Sequence, residues 1–345
     1  KNGVRRYLLA LAHDIRVRLA TLGLRHPSEL VGRSDLLERK PYHALPALDE
    51  QVPGRASKVD LSEILLRPEG VRRGRPLPRL PVDVTGELNA RLLADAGNGL
   101  AESSHAIANT DRAVGATLAG RIAAGTIKPP AGGFRVAFRG NAGQAFGFAC
   151  VDGMSLILEG FANDSIAEAM SGGTIAVRAP LEIPAASRTG LSAVGNAAAY
   201  GATGGSLFVE GRAGQRCGVR NSGGTIVVEG AGKYAFEYMT GGVGVVLGPI
   251  GPVIASGMTG GVLFLVEEPQ LEAKLHADAR VAPMTAADRA RLRELLEAHH
   301  AATGSARAAA LLAEGDGALA RFAKVVPVAA PVAALRVVEH DAATV

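Results

Sequence analysis

Few residues of this sequence have the types and spacing that chemistry demands. Cys150 and Cys217 are its only cysteines. Two thiols this far apart cannot supply the four ligands of an iron–sulfur cluster or a structural zinc. Each sits in an apolar, strand-like setting that suits a small buried hydrophobe. His299 and His300 share a charged stretch with Glu294 and Glu297. Neighbouring residues on a helix face different ways, so the pair makes a poor two-ligand metal site and reads as a solvated helix end. His13 and Asp14 lie on a first helix without an evident third partner and read as surface or interface. Gly230-Ala231-Gly232-Lys233-Tyr234 is the nearest approach to a phosphate loop, but the earlier glycine, the Ser or Thr after the lysine and the following helix are all missing.

The polar residues inside the glycine-rich stretch hold more interest. Arg216, Arg220, Asn221, Glu229, Glu237 and Tyr238 recur at corresponding places, where stacked chain segments would set them in ladders that pair with one another. A binding face is the other use for such a set. Nothing supplies a nucleophile or a cofactor beside these carboxylates. The sequence therefore assigns no catalytic, no cofactor-binding and no metal-binding residue, and the chain alone is expected to be inactive.

The elements that carry these residues divide the chain in two textures. Residues 5–22 read as an amphipathic helix that Gly23 can cap, and Ser28 is an N-cap for a second short helix ending near Leu37. Residues 38–84 hold many prolines and charges and read as a connecting segment with one short helix at Leu61–Leu66. Helical pattern continues through residues 86–124, Glu87–Ala96 included. Then 29 of the 44 glycines fall between residues 132 and 265. Gly-Gly pairs there precede apolar, β-branched runs: Ser171-Gly-Gly-Thr-Ile-Ala-Val, Thr203-Gly-Gly-Ser-Leu-Phe-Val, Ser222-Gly-Gly-Thr-Ile-Val-Val, Thr240-Gly-Gly-Val-Gly-Val-Val and Thr259-Gly-Gly-Val-Leu-Phe-Leu. Asp152-Gly-Met-Ser-Leu-Ile-Leu is a degenerate copy. The last four pairs stand 19, 18 and 19 residues apart; the earlier gap of 32 is one period plus an insertion within Ala179–Ser192.

A fixed period near 19 marks a solenoid. One coil cannot bury its apolar side alone, but stacked coils bury a continuous one and pair their backbone groups. The expected architecture is mainly β, a right-handed single-stranded β-helix with helical N- and C-terminal flanks. After residue 266 helical signals return: Thr285 and Asp288 form a capping-box start to a helix reaching about His300, and Ser305 caps another through Leu312. From Val325 an Ala/Val/Pro-rich tail reads as extended.

Composition agrees. Hydrophobic residues make 48% of the chain while aromatics make 4% and Trp is absent. The core must be Val, Ile, Leu and Ala, which fit a narrow repetitive interior. The net charge of +4 gathers in the first 80 residues, at Arg5-Arg6, Arg39-Lys40 and Arg72-Arg73. Without interleaved aromatics or a recognition motif this reads as a solvated surface or one docking on an acidic partner, and not as a nucleic-acid site. No apolar run spans a bilayer, no signal peptide is evident, and the low cysteine count suits a reducing cytoplasm. The first residue, Lys1, suggests a piece of a longer protein.

The repeats resemble a known family. Residues 195–265 carry GNAAAYGATGGSLFVEGRAGQRCGVRNSGG, VVEG, EYMTGGVGVVLG and GMTGG, and upstream lie IANTDRAVGATLAGRI, RGNAGQAFGF and FANDSIAEAMSGG. These are similar to the glycine-repeat domain that ends the glutamate synthase large subunit. DIRVRLATLGLRHPSELVGRSDLL resembles the last helices of that family's FMN-binding barrel, and LRELLEAHHAATGSARAAALL with FAKVVP its C-terminal tail. The resemblance divides the chain into barrel-closing helices (1–37), a linker (38–84), the β-helix (85–270) and a helical tail (271–345). It implies a parent enzyme that uses FMN and an iron–sulfur cluster to make two glutamates from glutamine, 2-oxoglutarate and reductant. It also implies partners: an amidotransferase domain and the FMN barrel, in the same or a separate chain, with a small NAD(P)H-oxidising subunit as a further one. The β-helix would position those parts. A stand-alone scaffold subunit of such a complex, or of a formylmethanofuran-dehydrogenase-like one, is the alternative. The sequence departs from the family pattern at Gln215, where Glu is usual, at Cys217, where a bulky apolar residue is usual, and at Lys233-Tyr234, where Asp-His is usual. Ile166-Ala-Glu-Ala also replaces glycines and a lysine.

Overall fold

The structure, a computed structural model, describes residues 2–38, 60–66, 86–184, 188 and 190–328. Two compact units divide the chain, Lys1–Val82 and Asp83–Val345.

In the first unit, α1 (Asn2–Thr21) ends where Gly23 adopts φ 70°, and the Leu24 N–H then returns to the Leu19 carbonyl at 2.9 Å. Only a glycine takes that left-handed turn without steric cost. The second helix expected after it is two 3₁₀ turns, Pro27–Glu29 and Ser34–Leu36. Pro27 occupies the first position, where its missing N–H is harmless. Ser28 therefore falls inside the turn and caps nothing; His26 takes the cap position. Helix α2 (Ser62–Leu65) stands where the sequence placed it. Most of the connecting segment, with Arg39-Lys40 and Arg72-Arg73, lies outside the described residues.

The second unit opens with α3 (Glu87–Gly97), β1 (Glu102–Ile107) and α4 (Ala116–Ala123). The expected helical run over 86–124 is thus broken by a strand. Glu102–Ile107 has little strand character of its own; pairing in parallel with β2 (Phe134–Ala142), from Glu102 opposite Arg135 to Ile107 opposite Gly140, decides it. Leu88, Leu92, Val114 and Leu118 from this opening segment join the solenoid core.

Parallel strands then stack in chain order: β3 (Met154–Ala162), β4 (Ser171–Arg178), β6 (Gly204–Ala213), β7 (Ser222–Ala231), β8 (Thr240–Val246) and β9 (Gly260–Val266). This is a β-solenoid of about 6 turns with helices toward the termini. The long gap resolves cleanly. β4 stops at Arg178, and β5 (Ser192–Val194) resumes the same coil, Val194 pairing with both Ala162 of β3 and Ala213 of β6. Taking the thirteen residues 179–191 out of the gap of 32 leaves 19, the period of its neighbours.

The Gly-Gly pairs have a packing reason as well as a conformational one. The side chain that closes one coil lies over the second glycine of the next. A Cβ at Gly173 would stand 3.0 Å from Cys150 Sγ, at Gly205 2.6 Å from Met170 Cε, at Gly242 2.7 Å from Asn221 Nδ2 and at Gly261 2.5 Å from Met239 Cε. A Cβ does not fit at the last three distances, and at Gly173 the carbonyl oxygens of Val151 and Met154, each at 2.6 Å, exclude it as well.

Helix α5 (Leu271–Lys274) and β10 (Ala279–Ala282) follow, then α6 (Ala286–Thr303), α7 (Ala306–Glu314), α8 (Asp316–Leu319) and β11 (Phe322–Pro327). The capping box of Thr285 with Asp288 forms as the sequence foretold, and Ser305 caps α7 by accepting the Ala308 N–H. Val325 is in extended chain, as the sequence suggests. It sits within β11, which runs antiparallel to β9 and carries β10 on its other edge, so the open edge of the last coil is covered. Residues beyond 328 lie outside the described residues. No helix among the described residues is long and apolar enough to cross a membrane.

Candidate functional site

Strands β6–β9 are apolar on both faces. Leu207, Val209, Ile226, Val228, Leu263 and Leu265 point into the solenoid. Phe208, Val227, Val245 and Phe264 point outward onto Leu292, Leu295, Leu296 and Leu319 of the C-terminal helices. Along this outer seam lie most of the buried polar groups among the described residues, and they form the best candidate site.

Glu229 lies near the end of β7, 4% exposed. Its carboxylate accepts a hydrogen bond from Ser305 Oγ, the cap of α7. His299 of α6 is fully buried, its Nε2 3.8 Å from the same carboxylate and its ring 6.1 Å from that of Phe208. Thr303 Oγ1 donates to the His299 carbonyl at 2.6 Å and accepts from the Ser305 N–H at 3.2 Å. Glu210, one coil earlier and 3% exposed, accepts the Ala179 N–H at 2.9 Å and has Arg188 at 3.8 Å, so it pins the start of the insertion. Arg178 Nε donates to the Ala302 carbonyl at 2.8 Å and Arg307 Nη1 to the Leu247 carbonyl at 2.6 Å, each tying coil to helix. A third buried cluster joins Lys324 of β11 to Asp288 at 2.8 Å. Burial alone would raise the Asp288 pKa. The hydrogen bonds from Lys324 and Thr285 outweigh burial and hold it below the ordinary carboxylate value.

Glu229, His299 and Ser305 are the residue types of a hydrolytic triad, but the geometry performs another task. Ser305 Oγ is engaged twice, donating to Glu229 and accepting from Ala308. His299 approaches the carboxylate rather than the hydroxyl. All three are buried, so no substrate atom can reach Oγ. The cluster fastens helices to a coil.

The sequence-predicted residues separate on inspection. The solvated helix end expected for His299-His300 holds for His300, whose Nδ1 lies 3.0 Å from the Ser305 carbonyl, and fails for His299. The seam covers one face of α6 and buries the first histidine while leaving the second outside. Glu229 pairs with the helices and not with the neighbouring Arg216 and Arg220, contrary to the ladder expectation. Those arginines are exposed and lie over Tyr234 and Tyr238, at 5.8 and 5.7 Å from the ring centroids. Asn221 is buried at a corner, its Oδ1 accepting the Gly224 N–H at 2.8 Å and its Nδ2 donating to the Gly224 carbonyl at 2.9 Å. Glu237 is half-buried and Lys233 exposed. Cys150 and Cys217 are fully buried, and burial pushes both thiols up to about 12. His13 and Asp14 are exposed on α1, where Asp14 pairs with Arg18 at 2.8 Å.

Sequence reasoning missed a regular backbone feature. Each coil carries three residues with left-handed φ, two apart: Ala145, Gly147 and Ala149; Ser165, Ala167 and Ala169; Arg216, Gly218 and Arg220; Tyr234, Phe236 and Tyr238. Their N–H groups point alternately to the next coil and the previous one, as in Arg216 to Lys233, Gly218 to Ala198 and Arg220 to Glu237. The only sequence signal is a small residue at alternate positions in most coils.

The described residues offer no ligand set for the iron–sulfur cluster that the resemblance implies. Two inert buried thiols do not make a cluster ligand set, and among the described residues no group of three His, Cys, Asp or Glu could hold a metal. At the corner nearest to a phosphate-loop sequence the space is filled by the neighbouring coil. A Cβ at Gly232 would meet the Gln215 nitrogen at 2.8 Å.

Comparison with known proteins follows this geometry. The model of the GXGXG motif family matches residues 90–328. The large chain of glutamate synthase [NADPH] from Bacillus subtilis is 36% identical over 222 residues, covering 63% of this chain and 14% of that protein. Ferredoxin-dependent glutamate synthase 1 of Arabidopsis thaliana is 36% identical over 330 residues, covering 93% and 20%. The ferredoxin-dependent enzyme of Spinacia oleracea is 33% identical over 338 residues, again 93% and 20%. The chain thus spans a fifth or less of the length of these curated relatives.

Proposed function

The chain belongs to the GXGXG motif family and is homologous to glutamate synthase large chains, and from that premise we propose that it is the C-terminal part of such an enzyme and serves there as a rigid spacer. In this reading residues 1–37 close an FMN-binding barrel, 38–84 link it onward, the solenoid of 85–270 sets the distance between that barrel and an amidotransferase domain, and 271–345 is its helical tail. The parent enzyme forms two glutamates from glutamine, 2-oxoglutarate and reductant, with FMN and an iron–sulfur cluster held by other parts. A small NAD(P)H-oxidising subunit is a further partner. The chain has no catalytic residue of its own, and the parent works in the cytoplasm.

One observation carries this reading. The buried carboxylates of the solenoid and its clasp, with Asn221, are spent on protein partners: Glu210 on the insertion, Glu229 on α7, Asp288 on Lys324 and Asn221 on its own corner; buried His299, whose ring nitrogens make no hydrogen bond, sits closed off beside Glu229. Such a body transmits position and presents no reactive group. The relatives aligned over 93% of the chain extend the match past the solenoid into the first unit, which favours continuity with a barrel over a separate subunit.

The test is co-purification from the native source with a C-terminal tag, with every bound or continuous polypeptide weighed. A large flavin-bearing species that makes glutamate from glutamine and 2-oxoglutarate is expected. A chain of this size alone, without flavin or partners, would sink the proposal.

A further inference from the structure

The outward positions of the left-handed ribbon are small or aliphatic in most coils. They are Ala145 and Ala149, Ser165 and Ala169, Ala197 and Gly201, then Val253 and Gly257 after the exception. On two adjacent coils they are Arg216 and Arg220, then Tyr234 and Tyr238. Each arginine lies over the tyrosine of the next coil, so the same Arg-on-Tyr rung forms twice. Lys233 stands exposed beside Tyr234, and Gln215 beside Arg216. Among the described residues no hydrogen bond or ion pair engages the Arg216, Arg220 or Lys233 side chains. Glu237 is the nearby acid in sequence, so the patch holds three cations against one anion.

The backbone beneath is fixed. The N–H groups of Arg216, Arg220, Tyr234 and Tyr238 bond to the carbonyls of Lys233, Glu237, Pro252 and Ser256 in the following coil. Stacking on tyrosine holds each guanidinium without using its N–H donors. Two pre-positioned guanidiniums with unspent donors recognise carboxylates or phosphates, forming charge-assisted hydrogen bonds with little further loss of side-chain freedom.

We propose that the Arg216–Arg220–Lys233 patch, backed by Tyr234 and Tyr238, is a docking surface for an acidic polypeptide segment. This rests on the reading above, in which the segment belongs to a neighbouring domain of the longer protein. Dimensions and charge favour polypeptide over nucleic acid. The patch is two coils deep, about 4.8 Å between strands. Beyond it the same face carries small residues and then Asp164 and Glu168, which would repel a phosphate backbone continuing along the solenoid.

Zero-length carbodiimide cross-linking of the full-length natural protein, read by peptide mass spectrometry, tests this. Lys233 Nζ should couple to Asp or Glu outside residues 1–345. The yield should fall about tenfold in the R216E/R220E protein, as expected when like charges are set against one another. That variant should keep its far-UV spectrum, because both side chains lie outside the core. Coupling of Lys233 only to carboxylates within residues 1–345, no coupling at all, or a yield unchanged in R216E/R220E each overturns the proposal. So does ultraviolet cross-linking of the patch to RNA without a polypeptide cross-link. Flavin content and glutamate formation measured on the same preparation separate the two readings. A cross-link without flavin keeps the patch and removes the synthase assignment; flavin without a cross-link does the reverse.

Discussion

The inside of the solenoid and the seam beneath its C-terminal helices are both buried, yet they are built on different principles. Inside, equivalent positions of successive coils stack: Phe146, Ile166, Ala198, Cys217, Ala235 and Ile254 form one column, all buried. Size is balanced between neighbours. Phe236 occupies a column otherwise filled by Gly147, Ala167, Ala199, Gly218 and Ala255, and a Cβ at Gly218 or Gly244 would meet its ring. The seam has no repeat. Its apolar contacts are bordered by individually matched pairs, Glu229 with Ser305, Asp288 with Lys324 and Arg178 with the Ala302 carbonyl. A repeating interior is stabilised by volume and stacking, which a period enforces. A single helical clasp has to be aligned by specific polar partners.

Changes in the two regions should therefore differ in size and reach. Phe236→Ala, which leaves a cavity shared by two coils, should cost about 4 kcal/mol and lower protection from hydrogen exchange across β6–β9 together. Loss confined to one strand would contradict the stacked-column picture. Lys324→Ala leaves a buried carboxylate unpaired and should cost about 3 kcal/mol. Its effect should appear as early exchange of α6, α7 and β11 while β2–β7 stay protected. Glu229→Gln keeps shape but weakens the bond to Ser305, and denaturant unfolding should show a loss of about 2 kcal/mol.

Acid should separate the regions too. Asp288 has its pKa held below the unfolded value, so its contribution is present above about pH 4 and fades as pH falls through the lower folded value. Exchange of α6 and β11 should accelerate in that window, and the acceleration should vanish in Asp288→Asn. The solenoid interior, whose thiols ionise only near 12, should not respond there. Last, Arg139→Ala breaks an exposed pair with Glu159 and Glu182 and should change stability by less than about 0.5 kcal/mol. A larger effect would mean that the insertion is held through Glu182 and not through Glu210.

Much of the solenoid was legible because its cause is local and repeated. Gly-Gly at a fixed period, followed by β-branched residues, encodes both corner and strand, and the excess length at Ala179–Ser192 was visible against that period. The capping box at Thr285 was legible for the same reason: its donors and acceptors lie three residues apart. Failures came where the deciding partner is distant. β1 is a strand because β2 lies beside it. The extended chain at Val325 becomes a paired strand because β9 offered an open edge, and His299 is buried because the outer face of β6 needed cover.

The sequence by itself determined that the chain winds into coils of about 19 residues with small aliphatic interiors, since periodic side-chain volume leaves a chain few other ways to bury itself. It also determined that its two cysteines cannot hold an iron–sulfur cluster or a structural zinc, since too few are present to complete a ligand set. Only the tertiary structure decided which carboxylates turn inward. Glu229 and Glu237 look alike in the sequence, but one meets Ser305 under a helix and the other stays at the surface. Burying a charge is tolerated only where a partner already stands, and that partner lies 76 residues away along the chain.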